Sequence, residues 1–441
     1  LDWARLFETR RFAEAARAER PNRNPFQVDQ DRIVFSRPFR RLQRKTQVHP
    51  LPTNAHIRNR LVHTLEVTSV GRSLGCAAGE ALRAELDAIG RTPDDLGYLV
   101  QATCLAHDIG NPPFGHAGEE AIAAWMAQFL AAHADAGLDP DVAHFDGNAQ
   151  GFRILTRADG YRQRGGMRLT EATLAAFLKY PWPADDPRAA RGGRPGVKFG
   201  HFATEAAAFA EVAAAAGLAG PNPRHPAVWL MEAADDIVYS LADLEDAVEL
   251  EMVAYATYLD LVGPIPDSIA SLAAEETVPQ RISYLRAKAI GDLINACVRA
   301  FVEHREAILA GALPAGTGLI ELFVPSDARR GAALAEIKRF NRRHIYIHPR
   351  KVEFEIAAAD VLGKALEVFV PSCLGFARAG GDDARLRHRD RQVLSLMQDY
   401  RPLPDFTPSD AIRCAIDFVS GMTDDYASYL AARLRGLDPA G

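Results

Sequence analysis

Leu96-Gly97-Tyr98-Leu99-Val100-Gln101-Ala102-Thr103-Cys104-Leu105-Ala106-His107-Asp108-Ile109-Gly110-Asn111-Pro112-Pro113-Phe114-Gly115-His116-Ala117-Gly118-Glu119 is a helix-length apolar run that ends on two metal-capable side chains. Asp94-Asp95 ahead of it are expected to cap a helix over 96–106, which delivers His107 and Asp108 at its C-terminal end. The turn formers Gly110-Asn111-Pro112-Pro113 break the helix, and a further helix is expected over 118–132. Burial of apolar surface accounts for the run before His107. It does not account for adjacent His and Asp followed by His116 and Glu119 three residues apart.

Outward from this stretch, helical periodicity dominates. Residues 61–90 read as a helix interrupted near Gly71 and Gly75, with Leu61, Leu65, Thr68 and Arg72 stepping along its turns. Residues 226–250 form another, with Val228, Leu230, Met231, Ile237, Val238 and Leu241 apolar, and more helices follow 280 and 408. Strand signals are confined to Leu319–Val324 and His344–Ile347, enough for at most a small accessory β element. The expected fold is all-α, a helical bundle with additional C-terminal helices. Residues 1–260 are expected to form the catalytic core with an N-terminal substrate-binding segment. Residues 261–441 are expected to complete the pocket and to supply oligomer contacts. Residues 132–148, 181–200 and 378–387 read as loops or insertions, the second of them mobile.

The 441 residues are 48% hydrophobic, enough for a sizeable core and too apolar for global disorder. A formal net charge of -6 excludes a surface that is basic throughout but permits a local basic groove. Such a stretch exists, with Arg37, Arg40, Arg41, Arg44, Lys45, Arg58 and Arg60 leading up to His63. Five scattered cysteines, none in a Cys-x-x-Cys pair, indicate neither a zinc ribbon nor a disulfide framework. The opening Leu1-Asp2-Trp3-Ala4-Arg5 has no apolar signal core, and no apolar run reaches membrane-spanning length, so a cytoplasmic enzyme without membrane attachment is expected.

His63, His107, Asp108 and Asp235 stand on three separate expected helices, a common way to assemble a metal site inside a bundle. Imidazole with carboxylate suits manganese, iron, nickel, cobalt or zinc, and magnesium less naturally. Two His and two Asp leave coordination positions for water and substrate. A carboxylate at Glu119 would fix the tautomer of His116 and raise its basicity, as proton transfer requires. Asp235, Tyr239 and Asp243 fall on one helical stripe, although Tyr239 and Asp243 could equally be surface residues. A lone His is more often structural than a ligand, and His133, His144, His201 and His225 are assigned to that class. His344 and His348 are treated as structural or pocket residues because the segment between them reads as β-like.

Taken in order, these motifs resemble the HD-domain phosphohydrolases, and in particular the deoxyguanosine triphosphate triphosphohydrolase-like proteins of the dNTP triphosphohydrolase group. The resemblance rests on the segments 31–36, 39–48, 58–67, 107–119, 178–181 and 198–200, on the Asp235 helix and on 340–349. It implies a mostly helical fold and hydrolysis of a dNTP to deoxynucleoside and intact tripolyphosphate. By the match, His63, His107, Asp108 and Asp235 hold a divalent metal ion, manganese or magnesium first, with iron, nickel, cobalt or zinc as other fits. His116, supported by Glu119, is matched to the catalytic acid/base. Gln47 and Asp243 match the contacts to the deoxyribose 3′-hydroxyl, and Tyr346 is placed to wall off the 2′ position. Arg60, Lys179, Lys198 and Tyr239 match phosphate contacts. No base-reading residue is matched; Gln43 lies near the right place. The resemblance also implies a homo-oligomer and a regulatory dNTP.

Two other functions remain open at this level. One keeps the fold and changes the substrate to other nucleotides, as a nucleotidase or phosphodiesterase. The other is a nucleotide-regulated protein that binds single-stranded nucleic acid through the 37–60 stretch and the 181–200 loop.

Overall fold

The computed structural model describes all residues except 15–21, 49–53, 55, 158–164, 192–193, 195, 275–276 and 438–441. Among the described residues there are twenty α-helices and no sheet, only isolated bridges such as Thr46 to Asn59. None of the helices is long and apolar enough to cross a membrane.

Ten helices position the site: α1 (Arg60–Ala81), α2 (Pro93–Ala106), α3 (Gly115–Ala132), α4 (Gly147–Arg157), α5 (Pro226–Glu249), α6 (Val278–Glu303), α7 (Ala328–Phe340), α8 (Pro349–Arg378), α9 (Pro408–Ser420) and α10 (Asp424–Leu434). Their starts follow local chemistry. Asn59 caps α1 by accepting from the Val62 amide. Thr92, not the expected Asp94-Asp95 pair, caps α2; Pro93 takes the first turn and Asp95 closes a capping box. His225 caps α5 ahead of Pro226.

Three further expectations are corrected. First, α1 runs without a break through Gly71 and Gly75. These glycines, with Gly79, form a groove for α2. A Cβ on Gly75 would stand 2.8 Å from the Gly97 Cα, and one on Gly71 would stand 2.4 Å from the Cys104 sulfur. Each glycine costs roughly 1 kcal/mol of helix propensity, and close backbone approach over two full helices offsets it. Second, Leu319–Phe323 is a helix, and Asn341–Ile345 is a turn of π-helix extending α7. Their β-branched residues fill a helical core, where burial overrides propensity. Third, 181–200 is a loop as expected but an anchored one, since Trp182, Ala189 and Phe199 are fully or nearly fully buried; residues 192, 193 and 195 of that stretch lie outside the described residues.

One hydrophobic core unites α1, α2, α5, α6 and α7 through Val67, Leu74, Leu99, Ile237, Leu285 and Ile337. A second unites α3, α8, α9 and α10 through Ile122, Met126, Leu366, Phe369, Ile416 and Leu430, with Trp182 and Phe199 added. A smaller one, around Ile109, Phe152 and Phe177, lies beneath the turn that follows His107. The turn 107–114 therefore links the two main cores, and side chains from both face one another across it.

Candidate active site

His63 rises from the first turn of α1, His107 and Asp108 from the C-terminal end of α2, and Asp235 from the middle of α5. Ligand-capable atoms of His63, His107 and Asp108 all lie within 4.8 Å of one another. Asp235 Oδ1 is 3.1 Å from His63 Nε2 and 3.8 Å from His107 Nε2. The His107 Nδ1 faces the Cys104 carbonyl at 2.7 Å, so its proton resides there and the Nε2 lone pair is left exposed to the site. That Nε2 is buried and has no hydrogen-bond partner among the described residues. Burial pushes the Asp108 carboxyl up, but Arg60, His107 and His63 outweigh it and hold it at about 2. Burial is likewise outweighed at Asp235 by the hydrogen bond to His63 and by the neighbouring imidazoles and Lys179. Two carboxylates held as anions, beside an orphaned imidazole nitrogen, make a donor set that fits a divalent metal ion.

Across the cavity, His116 stands in the first turn of α3 with its Nδ1 3.0 Å from Glu119 Oε2. The His116 side chain is 87% exposed whereas Glu119 is buried. Glu119 is itself fixed, because its Oε1 accepts from the Gly147 amide at 2.7 Å. Burial raises the Glu119 carboxyl, and the bond to His116 with the charge of Lys198 pulls it well below the ordinary range. Glu119 therefore stays anionic, holds the Nδ1 proton of His116 and leaves Nε2 as the ring nitrogen open to the cavity.

These two constellations line one cavity of about 440 Å³, together with Gln47, Arg60, Lys179, Lys198, Tyr239 and Tyr346. Arg60 donates to Asp108 at 2.7 Å. The Lys198 ammonium is 3.6 Å from both Glu119 and Asp146, and that of Lys179 is 3.5 Å from Glu232. Asp243 does not line the cavity; it is buried behind Tyr346, whose hydroxyl donates to it at 2.6 Å. Burial raises Asp243 to about 7, against the pull of Tyr346 and His63. The buried Gln47 Oε1 has no partner among the described residues. Gln43 is exposed, and so is His344, whose ring lies tilted against Phe340 with centroids 4.5 Å apart.

Several lining residues were missed from the sequence. Asn111 lies inside the quoted motif, and its amide donates to Asp108 at 2.5 Å. Asn148 follows the Asp146-Gly147 turn, a signal that could have been noticed. Lys351, Phe354 and Glu355 come from α8, where nothing local marks them. The basic stretch is largely committed within the chain. Arg37 pairs with Asp399, Arg44 with Asp425, and Arg58 with Glu66, Glu245 and Asp246, while Lys45 is buried.

No family model matches the chain. A deoxyguanosinetriphosphate triphosphohydrolase-like protein of Pseudomonas aeruginosa is 41% identical to it over 453 residues, spanning 99% of both chains. A protein of the same description from Synechocystis is 39% identical across 99% of this chain and 100% of the relative. Another from Listeria innocua is 31% identical over the same shares. At such identity and coverage the chain belongs to the deoxyguanosinetriphosphate triphosphohydrolase-like proteins.

Proposed function

We propose that this protein hydrolyses deoxynucleoside triphosphates to deoxynucleoside and tripolyphosphate in a reaction that depends on a divalent metal ion. The observation that carries this reading is the meeting, in one cavity, of the His63, His107 and Asp108 cluster with the His116–Glu119 pair and several cationic side chains. A volume of about 440 Å³ lies within the roughly 300–1,000 Å³ of small-ligand sites.

A manganese or magnesium ion held by His63, His107, Asp108 and Asp235 would supply Lewis-acid polarisation of a phosphoryl oxygen. The protein's own groups do the rest. His116 Nε2 takes a proton from the water whose oxygen bonds to the α-phosphorus. Glu119 stabilises the resulting imidazolium. The bond from the α-phosphorus to the 5′-oxygen breaks, and that oxygen leaves with a proton from His116, so the ring returns to its starting state. Tripolyphosphate keeps the oxygen of the water. Lys179, Lys198 and Arg60 neutralise the phosphate oxygens as charge shifts toward the leaving group. At the sugar end, the unpartnered Gln47 Oε1 is an acceptor for the 3′-hydroxyl, and Tyr346, held by Asp243, closes the wall.

The test is to supply each dNTP singly and as a mixture, with manganese or magnesium, and to resolve products by ion-exchange chromatography. Equal amounts of deoxynucleoside and tripolyphosphate are expected, and turnover in the mixture alone would reveal a regulatory nucleotide. Pyrophosphate or orthophosphate as the inorganic product would overturn the proposal in favour of another HD-type nucleotide hydrolase.

A further inference from the structure

Two buried charged side chains, neither lining the cavity, tie its parts to the C-terminal helices. Lys45 is 4% exposed, and its ammonium donates to the carbonyls of Asn111, at 2.5 Å, and Ser420, at 3.0 Å. Burial lowers its affinity for a proton, and the last carbonyls of α9, at the negative end of the helix dipole, are among its few compensations. Asp424 is 1% exposed and opens α10. One of its oxygens accepts from the Thr46 amide at 2.7 Å, the other from the Phe114 amide at 3.0 Å.

What these bonds hold is informative. Thr46 precedes Gln47 in sequence, and Phe114 lies two residues before His116. Phe114 has φ +66, a left-handed backbone that L side chains rarely adopt, and α3 has no side-chain cap of its own. Asn111, gripped through its carbonyl by Lys45, donates its side-chain amide to Asp108 at 2.5 Å. A continuous path thus runs from Ser420 through Lys45 and Asn111 to a candidate metal ligand. A second runs from Asp424 through Phe114 to the turn carrying His116.

We infer that Lys45 and Asp424 are positioning residues: the α9–α10 pair is a brace that sets His116 against Asp108, and so sets the proton acceptor against the reacting phosphorus. This rests on the proposed function. Small displacements of a general base are costly to rate, about a hundredfold for 1 Å, whereas three of the four candidate metal ligands, His63, His107 and Asp235, come from α1, α2 and α5.

The variants are Asp424→Asn, which keeps the shape but turns an N–H donor toward one of the two amides, and Lys45→Met, which keeps the apolar stem. Asp425→Asn is the control, since Asp425 adjoins Asp424 but pairs at the surface with Arg44. In both test variants kcat per metal-loaded molecule is expected to fall about ten- to hundredfold, with KM changed by less than about threefold and metal content unchanged. Amide hydrogen exchange across 44–48 and 110–118 is expected to quicken, and the control to behave as the parent. A lower Tm with kcat intact, or unchanged exchange in those segments, would overturn the brace. The exchange measurement needs no substrate, so a protein that turns over no dNTP would count against the proposed function and leave the brace to be decided by exchange.

Discussion

His225 couples the fold of α5 to pH, and the size of the effect follows from its two bonds. The ring is fully buried at the N-terminus of the helix that carries Asp235, accepting from the Ala227 amide on Nδ1 at 3.0 Å and facing the Leu6 carbonyl with Nε2 at 2.9 Å. Only the neutral Nε2–H tautomer serves both, because a protonated Nδ1 would point a proton at a helix amide. Burial accordingly lowers the group from 6.5 to about 4, with the Leu6 carbonyl pulling the other way. Between those values the unfolded chain binds a proton that the folded chain refuses, so stability rises with pH. Acidification from pH 6.5 to 4 therefore removes roughly 3 kcal/mol, at 1.36 kcal/mol per pH unit, against a total stability of about 5–15 kcal/mol. His225→Asn retains a capping oxygen without a titrating ring. Urea unfolding of both proteins from pH 7 to 4 reads the effect, the parent being expected to lose roughly 3 kcal/mol more than the variant. Parallel stability curves would show that His225 accepts its proton without cost, and the account of the cap would be wrong.

Two further outcomes separate catalysis from stability. His116→Ala is expected to lower kcat roughly a hundred- to ten-thousandfold while leaving stability within about 0.5 kcal/mol, because the ring is exposed and Glu119 keeps the Gly147 amide and Lys198; turnover within about threefold of the parent, with metal bound, would remove His116 from the mechanism. Arg58→Met is expected to cost about 3–5 kcal/mol in urea unfolding, since the buried guanidinium is shared by Glu66, Glu245 and Asp246; a loss below about 1 kcal/mol would mean that the three carboxylates find water instead.

The helices were legible where apolar spacing and caps coincide, as at 226–249, and misread where one residue type serves two purposes. Gly71 and Gly75 look like helix breakers in a window of sequence, but their function is to admit α2, whose contacting residues Gly97 and Cys104 lie 22 residues beyond Gly75 and 33 beyond Gly71 and are invisible to periodicity. Leu319–Phe323 has strand-forming side chains and becomes helix because its core contacts are with α5, α6 and α7. Among the site residues, His107 and Asp108 announce themselves by adjacency at a helix end. Lys351 and Phe354 have no such mark, since neither chemistry nor spacing links them to His107 before the chain folds.

From sequence alone, the residue types and their order determine an all-helical protein with a His-Asp set capable of holding a metal. Those properties are local: helical period, capping and the chemistry of adjacent side chains need no knowledge of distant partners. Tertiary structure alone decided that Asp243 faces Tyr346 rather than the cavity, and that most of the arginines before His63 meet carboxylates of the same chain. It alone decided that residues 420 and 424 grip the turn bearing Asp108 and His116. Such pairings are chosen by burial, because a charge or an amide taken out of water must find its partner wherever the packed helices bring one, however far away along the chain.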